Sequence, residues 1–322
     1  MFKKLNSKIL LVVVLVLGGL LVLSEFTGKK ERSFASELIA VDTAQLTTLE
    51  IDFPRESVSV LLQRNGTIWQ VESDGKQYQA DQQMIKRLLS AYVLMKPDRV
   101  AATSSEKWHA FEVGDSTAVS VTLKADKKVL GKVYYGKLAF SQPAGNQQMM
   151  RQQQPDVKTF VRVDGDERVY AVEGFLKSSY QPDINAYRNK QLLQLNQAEI
   201  SSIRFEGSRN FNLQKQETSW TLGDLEVDSA FMVTYLRNLS RQNSSNFVDQ
   251  ALVSGKAFTE KLTISGSNFN PVEVSAWVVS DTLIGHVIHS SQNKDGYFEG
   301  VKNDLYKKLF PSQEAFLGVQ VD

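Results

Sequence analysis

The chain of 322 residues contains no cysteine and only three histidines. The absence of cysteine excludes disulfide frameworks, thiolate zinc sites, cysteine nucleophiles and an N-terminal lipidated cysteine. An excess of either charge is also lacking, because 37 basic residues oppose 36 acidic ones and leave a formal net charge of +1. This balance argues against a nucleic-acid-binding protein, which needs a basic face. The hydrophobic content of 42% is enough to fill real cores, and the length predicts about two domains.

The N-terminal end holds both the basic excess and the longest apolar run. Three lysines precede the run, and no acidic residue occurs before Glu25. Residues 9–23 are uncharged and apolar, and as a helix they would be about 22 Å long. Counting residues 5–26 gives about 33 Å, enough to cross a hydrocarbon core of roughly 30 Å. We therefore expect a membrane-anchoring helix within residues 1–26, with inner-membrane lipid contacted by residues 5–26.

Two alternatives to the anchor stay open, a cleaved signal peptide and a buried core helix. A cleaved signal needs a small-x-small site soon after the apolar run. The first such site is Ser33-Phe34-Ala35, beyond a charged stretch, so an uncleaved anchor is favoured. Residues 27–37 are polar and charged and are predicted to be a linker. We expect a cytoplasmic N-terminus and a periplasmic body at the cell inner membrane, with a single membrane pass.

The body contains an internal repeat. Residues 38–52 (LIAVDTAQLTTLEID) align without gaps with residues 192–206 (LLQLNQAEISSIRFE), at an offset of 154. Four later pairs follow in the same order: Trp69 with Trp220, Asp81 with Asp228, residues 121–123 with 262–264, and residues 170–182 with 297–311. Any two segments of one fold class share some such patterns, but we expect two tandem repeats, at residues 38–190 and 191–322.

Local patterns in the first repeat predict hairpins with a helix on one face. Alternating apolar residues predict a strand at residues 46–53. The dipeptide Asn65-Gly66 predicts a type I′ turn between two further strands. Asp81 is expected to cap a helix over residues 82–95. The predicted fold class is α+β, an N-terminal transmembrane helix followed by two tandem, mostly antiparallel sheet-plus-helix repeats.

The later part of the first repeat contains a segment without apolar periodicity. Residues 138–156 are rich in glutamine and are predicted to form a long loop. A tolerated insertion at a hairpin tip is favoured there over a partner-contact or lid loop, because the second repeat lacks the segment. A further hairpin turn is expected at Asp164-Gly165. A short helix is expected over residues 173–180.

No motif in the chain has convincing catalytic or metal-binding spacing. His286 and His289 are three residues apart, but their surroundings predict a strand, on which the two would point to opposite faces. Residues 131–138 fit a phosphate-binding loop until Leu138, which cannot bind magnesium. Residues 164–166 begin a calcium-loop pattern that fails at Arg168 and Val169. We therefore predict no catalytic, cofactor-binding or metal-binding residues, and we expect the two paired tryptophans to be structural.

Several short segments carry a resemblance to a known family. They are residues 49–95, the segment from Trp108 through Tyr134-Tyr135-Gly136, Val169-Tyr170-Ala171-Val172, and Tyr187-Arg188-Asn189-Lys190-Gln191-Leu192-Leu193. On these segments, which lie mainly within residues 40–195, the chain resembles the bacterial domain-of-unknown-function family 4340. The second repeat departs further from the pattern, since residues 306–309 (YKKL) have no counterpart of the last segment.

The resemblance implies a partner. Members of the family are often encoded beside the permease and ATPase of an ABC transporter and a protein similar to a gliding-motility auxiliary component. The resemblance therefore implies a membrane-anchored extracytoplasmic accessory subunit of an ABC-type transporter or cell-envelope complex. It supplies no catalytic residues. We expect a non-enzymatic protein without cofactor that acts by protein–protein interaction with the permease or the auxiliary protein.

Two other functions stay open at this point. The first is a periplasmic carbohydrate- or lipid-binding module whose ligand lies in the cleft between the repeats, and exposed aromatic residues lining that cleft would favour it. The second is an envelope hydrolase that uses carboxylate chemistry, which would require a close, buried pair of acidic side chains in a pocket.

Overall fold

The computed structural model describes residues 38–39, 41–93, 95–141 and 156–319. The predicted anchor at residues 1–26, the linker at residues 27–37 and most of the glutamine-rich loop lie outside these residues. Within the described ranges, no helix is both long enough and apolar enough to cross a membrane.

The first half of the body is built on one nine-stranded sheet. Its strands are β1 (Thr48–Phe53), β2 (Val58–Asn65), β3 (Ile68–Ser73), β4 (Lys76–Gln79), β5 (Pro97–Ala102), β6 (Val119–Ala125), β7 (Lys128–Ser141), β8 (Asp156–Val163) and β9 (Val169–Glu173). They lie in the order β4-β3-β2-β1-β6-β7-β8-β9-β5, and each neighbouring pair is antiparallel. Two helices accompany this sheet, α1 (Gln82–Val93) and α2 (Trp108–Phe111). We call this half the first unit.

The second half contains a two-stranded ladder and an eight-stranded sheet. The ladder pairs β10 (Gln191–Gln194) with β15 (Arg241–Asn243). The sheet contains β11 (Ile200–Gly207), β12 (Phe211–Lys215), β13 (Trp220–Leu222), β14 (Leu225–Glu226), β16 (Glu260–Gly266), β17 (Val272–Val278), β18 (His286–Ser290) and β19 (Asn293–Glu299). Its order is β14-β13-β12-β11-β16-β17-β18-β19, again antiparallel throughout. Its helices are α3 (Ser229–Ser240), α4 (Leu305–Leu309) and α5 (Gln313–Phe316). We call this half the second unit.

The predicted fold class is confirmed at the level of an α+β protein with mostly antiparallel sheets. The two sheets have the same strand order once the edge strand β5 is set aside. The register agrees as well, because Leu49 faces Leu123 in the first sheet and Ile203 faces Ile264 in the second. The gap-free block of the sequence alignment pairs Leu49 with Ile203, and its later pair of residues 121–123 with 262–264 matches Leu123 with Ile264.

Aspartate caps start the two long helices, as the sequence predicts for α1. Asp81 Oδ1 accepts hydrogen bonds from the backbone N–H groups of Gln83 and Met84, both at 3.0 Å. Asp228 Oδ1 accepts one from Phe231 N at 2.7 Å. Such a bond satisfies a backbone donor that the helix leaves unpaired. The buried face of each helix packs on its own sheet, and Trp69 and Trp220 lie buried in the two separate cores.

The hairpin between β2 and β3 turns one residue later than predicted. Asn65 still pairs within the ladder, so Gly66 and Thr67 form the two-residue loop. Gly66 has a φ of +62°, which fits the first central position of a type II′ turn. The type I′ geometry is found at the next hairpin, where Asp74 and Gly75 have φ values of +50° and +72°.

The predicted helix at residues 173–180 is wrong. Glu173 is the last residue of β9, and Gly174 follows with a φ of +99°, which no helix contains. Beyond it, Leu176 N donates to the Thr159 hydroxyl at 3.0 Å, which ties the segment to the neighbouring strand. Only the 3-10 turn Lys177–Ser179 remains.

Candidate functional site at the junction of the two units

The segment that connects the two units belongs to both cores. Tyr187 is fully buried in the first core, and Leu192 and Leu193 are fully buried in the second. The Tyr187 hydroxyl donates to Gln181 O at 3.0 Å and accepts from Gln181 N at 2.9 Å, which fixes the turn before it. The connection is therefore packed along its length.

Arg188 is the central side chain of the junction. Its guanidinium lies 3.9 Å from the ring centre of Tyr78 in the first unit and 3.9 Å from that of Phe247 in the second. It donates to Asp295 O at 2.8 Å and to Asn185 Oδ1 at 3.2 Å. Only 8% of the residue is exposed, and burial lowers its pKa from the ordinary value. The arginine thus joins the two units by stacking and by hydrogen bonds.

Further polar contacts surround this arginine. Gln79 N, at the edge of β4, donates to Asp295 Oδ2 at 3.1 Å. The Asn293 amide, 1% exposed, donates to Asn189 O at 2.9 Å and to Gln191 O at 2.7 Å. Each bond connects the start of β19 to the first unit or to the connecting segment. The relative placement of the two units is therefore fixed by specific polar contacts.

A cleft of about 290 Å³ opens beside this contact network. Tyr78, Phe247 and Tyr297 line it and are half-buried. Two cations, Lys76 and Arg188, and two carboxylates, Asp249 and Asp295, also line it. Arg188 covers one face of Tyr78 and of Phe247, and His289 covers one face of Tyr297. The cleft offers the remaining aromatic surface together with both donors and acceptors, which suits a neutral polar ligand with apolar faces.

The histidines and loops that the sequence analysis considered do not line the cleft. His286 and His289 are on β18, where their separation places them on opposite faces. His286 stacks on Tyr306 with ring centres 3.5 Å apart, and His289 stacks on Tyr297 at 4.4 Å. Residues 131–138 are part of β7, and residues 164–166 form the turn before β9. Among the residues that the structure describes, no group of three His, Asp or Glu side chains could hold a metal ion.

The model of a family described as a domain of unknown function (DUF4340) matches residues 69–261. The chain belongs to the DUF4340 family. No curated protein and no solved structure matched the chain.

The DUF4340 match spans the junction. It runs from Trp69 on β3 to Lys261 on β16 and so includes parts of both units, extending past the residues 40–195 on which the sequence resemblance rests. Within it, the segment Tyr187–Leu193 is the packed connection described above. Sequence reasoning identified this segment but not its partners Tyr78, Phe247 and Asp295. No local signal could have found them, because they meet Arg188 only after both sheets have formed.

A second surface feature lies at one end of the second sheet. Val278, Leu283 and Val301 are 57%, 78% and 49% exposed. Val278 is paired with His286 at the start of β18, and a Cβ atom on Gly285 would lie 2.7 Å from Val301 Cγ2. The three side chains therefore come from neighbouring turns at the same sheet end. We call this group the apolar end; exposed groups of this kind are typical of interaction surfaces.

Proposed function

We propose that this DUF4340 protein is a membrane-anchored, extracytoplasmic accessory subunit of an ABC-type transporter or cell-envelope complex. It acts by protein–protein interaction rather than by catalysis, with the permease or the gliding-motility-type auxiliary protein as partner. The observation that carries the proposal is the apolar end. Its aliphatic side chains are exposed to water, and burying them under another surface is energetically favourable. The anchor in residues 1–26 would hold the body at the inner membrane with its N-terminus in the cytoplasm, which raises its effective concentration for a membrane partner.

We also propose that the two units are tandem repeats, at residues 38–190 and 191–322. Support comes from their common strand order and from matched caps. Asp42 Oδ1 accepts from Ala44 N at 2.9 Å, and Asn196 Oδ1 accepts from Ala198 N at 3.2 Å, each at the start of a 3-10 turn. The sequence alignment pairs these two caps, and one ancestral unit copied once would explain both.

Co-purification tests the interaction. The full chain would be isolated from its native membranes in mild detergent, and co-purified membrane proteins would be quantified by mass spectrometry. We expect permease or auxiliary protein with the wild-type chain and at least a five-fold loss with Leu283→Asp or Val301→Asp. Val129→Asp is the matched control, because Val129 is 54% exposed on β7 of the other unit. Recovery of the wild-type chain without any membrane protein would contradict the proposal.

An alkaline-phosphatase fusion after Asp322 tests the topology. The enzyme is active only outside the cytoplasm, so an extracytoplasmic body predicts an active fusion. Deleting residues 5–26 should abolish that activity. An inactive fusion of the intact chain would refute the extracytoplasmic location.

A second candidate function is a carbohydrate-binding module that uses the junction cleft. The specific observation is the set of three half-buried aromatic rings, contributed by both units beside balanced charges. Sugar rings combine flat apolar faces with hydroxyl groups, which such a lining accommodates. Calorimetry with a panel of mono- and disaccharides would test it. Binding that weakens at least five-fold in Lys76→Ala and Gln250→Ala would support the cleft, and absence of heat with every sugar would remove this candidate.

A further inference from the structure

The second unit contains a groove that plays no part in the proposed function. It has a volume of about 760 Å³ and runs between α3 and the C-terminal segment of α4 and α5. Phe231 and Tyr235 form one wall, and Tyr306, Phe310 and Pro311 form the other. The volume falls within the range of about 300–1,000 Å³ that small-molecule sites occupy. We call it the helix groove.

The first unit has a groove in the same place with different chemistry. Four α3 residues line the helix groove: Phe231, Thr234, Tyr235 and Asn238. The α1 residues at the same distance from the helix cap line the first unit's groove: Met84, Arg87, Leu88 and Ala91. That groove is smaller, about 410 Å³, and its opposite wall carries polar side chains such as Ser178 and Gln181. The aromatic surface is therefore specific to the second unit and is not a by-product of the fold.

The hydroxyl groups of the groove tyrosines are hydrogen-bonded to other groups of the protein. Tyr235 donates to Leu309 O at 2.9 Å, and Tyr306 donates to Glu260 Oε2 at 2.9 Å. Burial, together with the hydrogen bond and charge of Glu260, raises the pKa of Tyr306 to about 12. Both hydroxyls therefore already donate hydrogen bonds within the protein. The walls consequently present ring carbons, which favour an aliphatic chain over a sugar or a peptide backbone.

The rim of the helix groove is basic. Lys307 and Lys308 line it, with Asp304 as the lining carboxylate. Asp304 lies 3.8 Å from Lys307 Nζ in a pair whose side chains are 82% and 67% exposed, so the contact is weak. Within the described part of the chain, Lys308 has no acidic partner. Arg209, which also lines the groove, is occupied by Glu260 and by Pro311 O. Two lysines therefore remain available for an acidic headgroup.

From these features we propose that the helix groove binds a long-chain fatty acid. The acyl chain lies between the aromatic walls, and the carboxylate lies at Lys307 and Lys308. The groove shares no lining residue with the junction cleft, and none of the three residues of the apolar end lines it.

Photo-crosslinking of the full chain tests the proposal directly. The protein would be placed in nanodiscs with a diazirine derivative of palmitic acid, irradiated, digested and mapped by mass spectrometry. We expect adducts on peptides from α3 and residues 304–316, and competition by excess palmitate. Asn238→Trp should fill the groove and lower labelling at least ten-fold. Ala91→Trp, at the equivalent position of α1, should leave labelling unchanged.

Reversing the charge of the two lysines at the rim tests the proposal without altering the aromatic walls of the helix groove. Lys307→Glu combined with Lys308→Glu should lower labelling by the fatty-acid probe at least five-fold while labelling by the matching diazirine alcohol is unchanged. Both lysines are exposed, so this variant keeps the test valid if Asn238→Trp fails to fold. Adducts spread over α1 as much as α3, equal effects of the two tryptophan variants, or no effect of charge reversal would each overturn the proposal.

Discussion

The two units share a strand order but differ in the polar groups that they bury. In the first unit the hydroxyls of Tyr92, Tyr180 and Tyr135 bond to one another, at 2.7 and 3.3 Å. In the second unit the Glu260 carboxylate, 4% exposed, is paired with Arg209 and Tyr306. A buried carboxylate is costly unless it is paired, whereas neutral hydroxyls need only mutual hydrogen bonds. Two sheets with the same strand order therefore accommodate different buried polar groups.

The segments that follow the last strands of the two units also differ. After β9 the chain continues into β10, and an irregular segment brings Tyr180 and Tyr187 into the first core. After β19 the helices α4 and α5 fold back on the second core. Phe316 of α5 is fully buried against Phe205, Phe211 and Tyr235. The units therefore differ in these closing segments while they share the order of eight strands.

The largest expected difference between the units concerns two arginines at equivalent loop positions. Arg209 and Arg55 each lie two residues beyond the central strand, β11 or β1. Arg209→Ala would leave the Glu260 carboxylate buried without its cation, and we expect a loss of about 3 kcal/mol in unfolding free energy. Arg55→Ala removes only an exposed pair with Glu112 at 3.2 Å and should cost less than about 1 kcal/mol.

Urea unfolding followed by circular dichroism would measure both variants. Equal losses for Arg209→Ala and Arg55→Ala would show that the buried charge network does not distinguish the two units energetically.

The next effect concerns two stacked arginines, one between the units and one within the first. Arg162 lies 3.9 Å from the Trp108 ring centre and 3.6 Å from that of Tyr134, all in the first unit. We expect Arg188→Ala and Arg162→Ala each to cost about 2 kcal/mol. Because Arg188, unlike Arg162, contacts both units, its loss should also split one calorimetric transition into two.

Differential scanning calorimetry would separate these outcomes. A single transition in Arg188→Ala, or a split one in Arg162→Ala, would contradict the coupling role of the junction arginine.

A smaller, symmetric effect is expected for the helix caps. Asp81→Ala and Asp228→Ala each remove a side-chain acceptor for backbone N–H groups at a helix start. Each should lower the unfolding free energy by about 1 kcal/mol. Thermal denaturation would measure the two losses, and a clear inequality between them would show that the caps are not equivalent in the two units.

The features predicted from sequence were those that depend on neighbouring residues. Asp81 caps α1 because the donors lie two and three residues away, and the turn at Asp164-Gly165 needs only its own backbone angles. The helix expected at residues 173–180 does not form because Gly174 has a φ outside the helical region. In addition, Leu176 N donates a hydrogen bond to the hydroxyl of Thr159 on the adjacent strand. The junction cleft could not be predicted, since Tyr78 and Phe247 meet Arg188 only through tertiary packing.

The smallest expected effect is a pH dependence confined to the second unit. Burial lowers the pKa of His286 below its ordinary value near 6.5; Glu260 opposes this shift, and Arg209 adds to it. On acidification the unfolded chain therefore takes up the proton before the folded protein does. The free energy of unfolding should fall as pH drops below about 6.5, until the lowered folded-state pKa is passed. His286→Phe would keep the stacking surface on Tyr306 and should remove this part of the dependence. Urea unfolding of both proteins at pH 7.5 and 5.5 would measure it, and an identical pH dependence in the variant would show that His286 is not the responsible group.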